Sequence, residues 1–396
     1  MTESDTQYDS WEKIPGIKPG ILRGIYAYGF DKPSPIQQKC IHPMIKVHKG
    51  EDGKFRRRDI IAQAQSGTGK TGGFVVGSLC VVNPGIKKPQ VIIMAPTREL
   101  ALQNYAVLEA LAKPAKITYQ LMMGGTRVDA DIGEMEKNPP QIICGTVGRI
   151  NDLIQRGSIN TECIKLIVLD EADEMLSDGF KEDIYKMFQR MNPDIQIALF
   201  SATLPPEIIK TAESFMDNPV KILVKKKQLT LEGITQWYIK VTNDQQKFGV
   251  IKDIFKYATP SQTIIYCNST RRVDDLHAAL LEENFPVKKI HGKMDESERR
   301  RINEEFKRGE TRVIVTSDLY SRGMDVQQVN IVINFDFPKD KSVYIHRSGR
   351  SGRFGRKGWC INFITRYDTT NKEEYEVYYD TQITEMPDDW YDKIKM

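Results

Sequence analysis

Cysteine is scarce and unpatterned in this chain. The six cysteines, Cys40, Cys80, Cys144, Cys163, Cys267 and Cys360, form no C-x-x-C pair, and only five histidines accompany them. Neither a zinc ribbon nor a disulfide framework is expected. Such isolated cysteines read as small buried hydrophobes in a reducing compartment. Long apolar runs are missing too. The longest, at 74–82, is broken by Gly77 and Ser78 and is too short to span a bilayer. The opening MTESDTQYDSWEKI has neither the basic start nor the apolar stretch of a signal peptide. There is no Arg-Gly or Arg-Ser tract. An excess of one charge is also absent, with 57 Lys plus Arg against 53 Asp plus Glu, a net of +4. That excludes a wholly basic coat protein, although a basic cleft can sit on a near-neutral surface. The expectation is a soluble, intracellular protein with no membrane partner.

What is present is a repeated alternation. The chain has 396 residues, enough for two or three domains. Apolar runs at 59–63, 90–96, 141–146, 165–170 and 195–203 read as buried parallel strands. Helix-period segments such as 98–111 and 181–191 lie between them. The pattern restarts with strands at 263–268, 287–292, 311–317 and 329–335, alternating with helices at 271–283 and 297–307. Strand–helix alternation predicts doubly wound α/β domains with parallel sheets. The charged stretch 221–236 separates the sets and places a linker at 225–233.

Residues 64–71 read AQSGTGKT, directly after a predicted strand and before a helix. In this pattern Ala64, Gln65, Ser66, Gly67, Thr68 and Gly69 wrap backbone N–H groups around phosphates. Lys70 reaches the β- and γ-phosphates, and the Thr71 hydroxyl holds Mg²⁺. Ala64 stands where the strict phosphate-loop motif has glycine. The strand at 165–170 ends in Asp170, followed by Glu171. Asp170 is placed to hold Mg²⁺ and Glu171 to orient and deprotonate a water. An acidic loop after a strand is common, but together the two motifs favour NTP hydrolysis over simple binding.

Asp170-Glu171-Ala172-Asp173 spells D-E-A-D, and the chain resembles the DEAD-box RNA helicases from about residue 11 to 387. RGIYAYGF (23–30), TLEGI (230–234), DVQQV (325–329) and GRFGRKG (352–358) are similar to the subgroup of translation initiation factor 4A and its paralogues. The resemblance implies two tandem RecA-like domains joined by a short linker. Their bounds are an adenine-reading N-terminal segment 1–38, an ATP-binding domain 39–224, a linker 225–233 and a C-terminal domain 234–396. It implies ATP and Mg²⁺ as cofactors, with one ATP between the two halves, because the second half has no G-K-T of its own. GFDKPSPIQ (29–37) resembles the adenine motif, with Phe30 packing near the base and Gln37 bonding its N6 and N7. Trp11 is a candidate upstream aromatic. Ser201 and Thr203 of the SAT motif would couple hydrolysis to the other domain. In HRSGRSGRFGR (346–356), His346 would join the catalytic network and Arg350 and Arg353 would be arginine fingers. By spacing alone, this run fits a basic RNA-binding or solvent-facing patch as well. Gly323 and Asp325 would meet the ATP ribose.

The RNA-contacting positions implied by the resemblance are Pro96, Thr97, Arg98, Gly124, Gly125, Thr146, Gly148 and Arg149 in the first domain. In the second they are Asn268, Arg272, Arg299 and Thr316. Small and hydroxyl groups with arginines suit phosphate and 2′-hydroxyl contacts rather than base reading. The expected activity is ATP-dependent, sequence-nonspecific local unwinding of RNA, in translation initiation. The expected partners are single-stranded or locally unwound RNA and recruiting proteins of the initiation-factor scaffold type. A cytoplasmic monomer is expected, nuclear residence being the alternative. The competing reading is an ATP-gated RNA clamp within a larger ribonucleoprotein complex. A DNA translocase lacks the motif at Gln37. Several positions depart from the family pattern: Gly72-Gly73 for Ala-Thr, Val147 for Pro, Glu296 for Gln, Ser321 for Ala and Ser348 for Ile. The charged stretch 46–59, with Arg56, Arg57 and Arg58, reads as a solvated loop.

Overall fold

Runs of Val, Ile and Leu without polar alternation need cover on both faces, and parallel sheets flanked by helices provide it. The computed structural model describes residues 8–50, 53–65, 67–177, 179–223, 233–257, 262–318, 329–352 and 357–394. The chain divides into two units, Met1–Val224 and Lys225–Met396.

The strands of the first unit are β1 (Val47–Lys49), β2 (Phe55–Arg57), β3 (Ile60–Gln63), β4 (Val91–Ala95), β5 (Tyr119–Met122), β6 (Ile142–Thr146), β7 (Leu166–Asp170), β8 (Gln196–Ser201) and β9 (Val220–Ile222). Seven of them form one sheet in the order β5-β6-β4-β7-β8-β3-β9, with every pairing parallel. All residues of β3, β4, β7 and β8 are buried. Alternate side chains feed opposite cores, so Ile60 and Val91 join one cluster and Ile61 and Ile92 the other. The helices that matter for the site are α1 (Pro19–Ala27), α2 (Pro35–Ile45), α3 (Lys70–Val81), α4 (Arg98–Ala112), α5 (Val128–Lys137) and α6 (Val147–Gln155). Trp11, Ile14, Ile21 and Ile25 pack into the same cluster as α3, so residues before 38 are part of the first unit's core.

The second unit contains β10 (Ile234–Lys240), β11 (Thr263–Tyr266), β12 (Val287–Ile290), β13 (Val313–Thr316), β14 (Ile331–Asn334), β15 (Gly358–Ile364) and β16 (Thr384–Glu385). Its sheet runs β12-β13-β11-β14-β15-β10-β16, again parallel throughout. Counted from β3 and from β10, the two sheets have the same strand order. Two parallel sheets with flanking helices match the expected fold class.

One sequence expectation needs correction. The 46–59 stretch contains an antiparallel hairpin, β1 with β2, outside the main sheet. Val47 and Phe55 favour extended backbone, and Gly53, at φ 77°, occupies the turn region where only glycine is unstrained. The Arg56 guanidinium forms an ion pair with Asp194 at 2.8 Å, and Arg58 donates to the Asn218 carbonyl, so this stretch is anchored. The stretch 221–236 also contains the last residues of β9 and the start of β10. Five cysteines are buried and Cys163 is partly so; burial pushes the Cys40 thiol up to about 12 and that of Cys360 to about 11. No helix among the described residues is long and apolar enough to cross a membrane.

Asp59 aligns the strand that leads into the phosphate loop. It accepts from the Ile197 N–H at 2.7 Å and the Asp217 N–H at 2.8 Å. Burial outweighs these bonds and pushes its carboxyl up to about 6. A raised carboxyl stabilises the fold below its ordinary value and loses that contribution as the pH climbs through 6. Measured against Asp59→Asn by urea unfolding, native stability should therefore fall by up to ~3 kcal/mol between about pH 4 and pH 7. A difference that does not change with pH would refute the buried, titrating carboxylate.

Candidate active site and nucleic-acid interface

The order β7-β8-β3 places three strand ends side by side. Register makes them level, with Gln63 opposite Ser201 and Asp170 opposite Phe200. Loops after the carboxyl ends of parallel strands are where such sheets bind ligands.

After β3 the chain turns through Gly67 at φ 79° and Gly69 at φ 94°, values that glycine adopts without strain. It then enters α3 at Lys70, with no side chain capping the helix start. The N–H groups of the first turn of this helix have no helical acceptor, which suits an anion. Buried Lys70 reaches back across the loop, its Nζ donating to the Ala64 carbonyl at 2.9 Å. Thr68 Oγ1 donates to the Gln65 carbonyl at 2.7 Å. Thr71, in the first turn of α3, is partly exposed. Ser66 lies outside the described residues.

After β7, Asp170, Glu171 and Asp173 are all buried. Asp170 accepts from Asn104 Nδ2 at 2.9 Å and from the Glu171 N–H at 3.1 Å. Burial, and then the neighbouring Glu171, push its carboxyl well above the ordinary range, while Lys70 opposes the shift. Glu171 has a φ of 52°, a strained value for a residue with a Cβ, and it turns β7 sharply into the next helix. After β8, Ser201 Oγ and Thr203 Oγ1 donate to the two oxygens of Asp173 at 2.7 and 2.6 Å. The SAT hydroxyls are thus tied to the last residue of D-E-A-D.

Carboxylate oxygens and a threonine hydroxyl are hard donors of the kind that Mg²⁺ prefers. An elevated Asp170 carboxyl is also what a divalent cation would relieve. Asp170, Thr71 and the phosphate loop therefore fit Mg²⁺ bound with a nucleotide.

Gln37 sits against this loop. Its Oε1 accepts from the Ser34 N–H at 2.7 Å, and its Nε2 donates to the Gly69 carbonyl at 3.0 Å. One amide hydrogen and one lone pair remain for a base. Trp11 Nε1 donates to the Phe30 carbonyl at 3.1 Å, and the two rings stack. Trp11 is fully buried, so it positions Phe30 rather than facing a ligand itself. Gly72 makes this close approach possible, since a Cβ there would lie 2.7 Å from Gln37 Nε2 and 2.8 Å from the Phe30 ring.

The RNA candidates of the first unit leave the neighbouring strands β5-β6-β4 at the same carboxyl ends. Pro96 follows β4, and Thr97 caps α4 by accepting from the Leu100 N–H at 3.3 Å. The Arg98 guanidinium lies beside Gly124, and Gly125 takes φ 96°. Thr146 and Gly148 open α6, and a Cβ at Gly148 would meet open space. Arg149 is different: it is buried, paired with Asp131, and donates to the Thr126 hydroxyl and carbonyl. It braces the 124–126 loop.

In the second unit the candidates leave β12-β13-β11, the same three places in the strand order. Arg272 bridges Asp244 and Asp336, and those partners hold its guanidinium well above its ordinary value. Thr316 Oγ1 donates to the Ile290 carbonyl at 2.7 Å. Exposed Asn268 accepts from Arg347 Nη2 at 2.8 Å, and partly buried Arg299 lies on the helix after β12. Buried Arg347 also reaches Asp318 and Asn334. The helix Lys341–Ser348 after β14 bears His346, whose carbonyl accepts from Arg350 Nε at 3.0 Å. Gly323, Asp325 and Arg353 fall outside the described residues.

Sequence reasoning gave no role to Asn104, Asp173 or Arg347. Asp173 was visible in the D-E-A-D string. Asn104 and Arg347 carry no signal short of the fold, since each is defined by partners far away in sequence.

A family model described as DEAD/DEAH box helicase matches residues 34–211, and one described as helicase conserved C-terminal domain matches 246–355. The ATP-dependent RNA helicase eIF4A of Neurospora crassa is 46% identical over 383 residues, covering 97% of this chain and 94% of that protein. The chain belongs to the DEAD-box family of ATP-dependent RNA helicases. This helicase is also 46% identical to the Aspergillus oryzae eIF4A, over 98% of its own length and 89% of that protein. Among solved structures it is similar to S. cerevisiae Dbp5 bound to RNA and ADP BeF3, with a TM-score of 0.88, 34% identity and 98% of each chain covered. A second is Mss116p bound to ssRNA and AMP-PNP, with a TM-score of 0.86, 26% identity, and 98% and 82% of the two chains covered.

The helicase's Gly72 gives a direct test of the adenine pocket. Gly72→Ala should displace Phe30 and Gln37 and raise the KM for ATP roughly tenfold, as about 1.4 kcal/mol of overpacking would. An unchanged KM in steady-state ATP hydrolysis would show that neither side chain meets the nucleotide.

Proposed function

We propose that this chain hydrolyses ATP when RNA is bound and uses the cycle to open short stretches of RNA during translation initiation. The observation that carries the reading is the convergence of the phosphate loop, Asp170–Asp173 and Ser201–Thr203 on three adjacent strand ends. Its likeness to eIF4A proteins over nearly the whole chain supports the step in translation.

In this reading the loop N–H groups and Lys70 bind the phosphates, with the ammonium moving from the Ala64 carbonyl to an anionic oxygen. Mg²⁺, when bound through Asp170 and Thr71, would supply charge neutralisation at the phosphates. Glu171 orients the attacking water and takes its proton. Asp173 transmits the state of this turn to Ser201 and Thr203. Arg350 and Arg353 supply positive charge to the transferring phosphoryl group. The backbone groups around Gly124, Gly125, Thr146 and Gly148 contact RNA phosphates and 2′-hydroxyls. Arg149 and Arg272 hold those loops in shape. ATP and RNA then act on one equilibrium, each favouring the arrangement the other prefers. Recruitment by an initiation-factor scaffold and work in the cytoplasm complete the proposal.

Steady-state ATP hydrolysis, with and without single-stranded RNA and with DNA as the control, tests it. RNA alone should stimulate turnover. Glu171→Gln should keep ATP binding and lose roughly 10²–10⁴ in kcat. Lys70→Ala should lose ATP binding itself. Arg353→Ala should lower kcat by about 10³ or more with little change in ATP affinity. Retained hydrolysis in Glu171→Gln, or equal stimulation by DNA, would overturn the reading.

A further inference from the structure

The β1–β2 hairpin has no part in the site described above. It precedes β3, so it lies at the amino ends of the strands, away from the phosphate loop. The stretch 46–58 contains Lys46, Lys49, Lys54, Arg56, Arg57 and Arg58 against only Glu51 and Asp52.

Register sorts these side chains by face. Val47 pairs with Arg57, His48 with Arg56 and Lys49 with Phe55. Cross-strand partners share a face and neighbours alternate. His48 and Arg56 form the inner face, and Arg56 is held there by Asp194. Val47, Lys49, Phe55 and Arg57 form the outer face. Phe55 is 73% exposed and Val47 is also exposed. A phenylalanine so exposed, between cations on a strand, has no packing role within the chain.

Arg57 closes this face at its inner end. Its Nε is buried without a hydrogen-bond partner among the described residues. Among the described residues no carboxylate pairs with it; instead a second cation lies nearby. Burial lowers the Lys165 pKa, and Arg57 and Lys18 lower it further. Lys165 Nζ donates to Gln90 Oε1 at 3.0 Å, and that same oxygen accepts from the Asn83 N–H. Lys18 Nζ donates to the adjacent Val82 carbonyl at 3.4 Å. Lys165 and Lys18 on neutral acceptors thus gather with Arg57 where an anion would relieve all three.

We propose that the outer face of the hairpin, together with Lys18 and Lys165, is a second binding surface for single-stranded RNA. Phosphates would sit on Lys49, Arg57 and Lys165 while a base stacks on Phe55. A stacking platform beside cations is the combination that single strands require. An acidic peptide would use the cations but leave Phe55 idle. The inference rests on the RNA-helicase reading for its ligand. Its place is to hold the strand that leads to or from the helicase site.

The test uses the full chain without nucleotide and a labelled single-stranded RNA of about 30 nucleotides, long enough to reach two sites of about 10. Fluorescence anisotropy should show Phe55→Ala binding roughly 5- to 150-fold more weakly, the weight of one stacked base. Lys49→Gln with Arg57→Gln should flatten the slope of log affinity against log salt by about 1.4. ATP hydrolysis without RNA should be unchanged in both variants. Phe55 is largely exposed and Arg57 Nε forms no hydrogen bond among the described residues, so near-wild-type urea unfolding is expected as the control. Unchanged affinity and slope in both variants would overturn the proposal. So would loss of polyglutamate binding in the double variant with no effect of Phe55→Ala on RNA, which would assign the face to an acidic protein. RNA-stimulated hydrolysis in the wild type is read separately, so failure of the hairpin and failure of the helicase reading give different results.

Discussion

Three buried carboxylates within four residues set the terms for the first unit. Asp170, Glu171 and Asp173 lie where the sheet ends, and the nearby buried cation, Lys70, is already engaged with a carbonyl. Asp173 accepts from two hydroxyls. Asp170 has an amide and a backbone N–H, and its carboxyl still rises. Buried like charges are costly unless one takes up a proton or a cation arrives. A phosphate chain carrying a divalent cation would provide that cation and give Lys70 an anionic partner.

The shared strand order gives that cost a place in a larger plan. Each sheet offers two groups of neighbouring carboxyl ends. In the first unit β7-β8-β3 deliver the hydrolysis chemistry, and β5-β6-β4 deliver small residues and open backbone. In the second unit the counterpart of β7 is β14, and the helix after it bears His346, with Arg350 just past its end, rather than carboxylates. The counterparts of β5-β6-β4 again deliver hydroxyl, amide and arginine groups. A repeated fold has thus been given opposite charge at equivalent strand ends. Neither unit alone holds both the anion cradle and the second set of arginines.

Much of this was legible in the sequence because strands covered on both faces read as uninterrupted apolar runs. β3, β4, β6, β7 and β8 each fall within a predicted run, with ends shifted by a residue or two. β10 was hidden because ITQWYIK mixes polar and apolar residues near the sheet's edge, next to a charged stretch. β5 and β9 are short and only partly buried, so they carry little apolar signal. The phosphate loop and D-E-A-D were legible because each needs particular residue types at fixed spacing. Arg149, Arg272 and Thr316 lie at the expected strand ends, yet their bonds run inward. Whether an arginine at a strand end faces a ligand or its own loop depends on distant acids such as Asp131 and Asp336. Spacing along the chain contains no such information.

The departures from the family pattern follow the same logic of close approach. Gly72 and Gly73 replace larger residues where α2 lies against α3. A Cβ at Gly73 would come 2.9 Å from Cys40 Sγ, and one at Gly77 would come 2.6 Å from Met44 Sδ. The helix start loses some intrinsic propensity, but α2, with Gln37, comes closer to the phosphate loop. Val147 likewise replaces a proline at the first position of α6 while its side chain is buried in the core. A first-turn N–H has no helical acceptor, and valine has this donor where proline lacks one. With Gly148 open beside it, the change adds a donor where an RNA phosphate would approach. At Gly72-Gly73 and at Val147, local helix preference gives way to close approach and to a backbone donor.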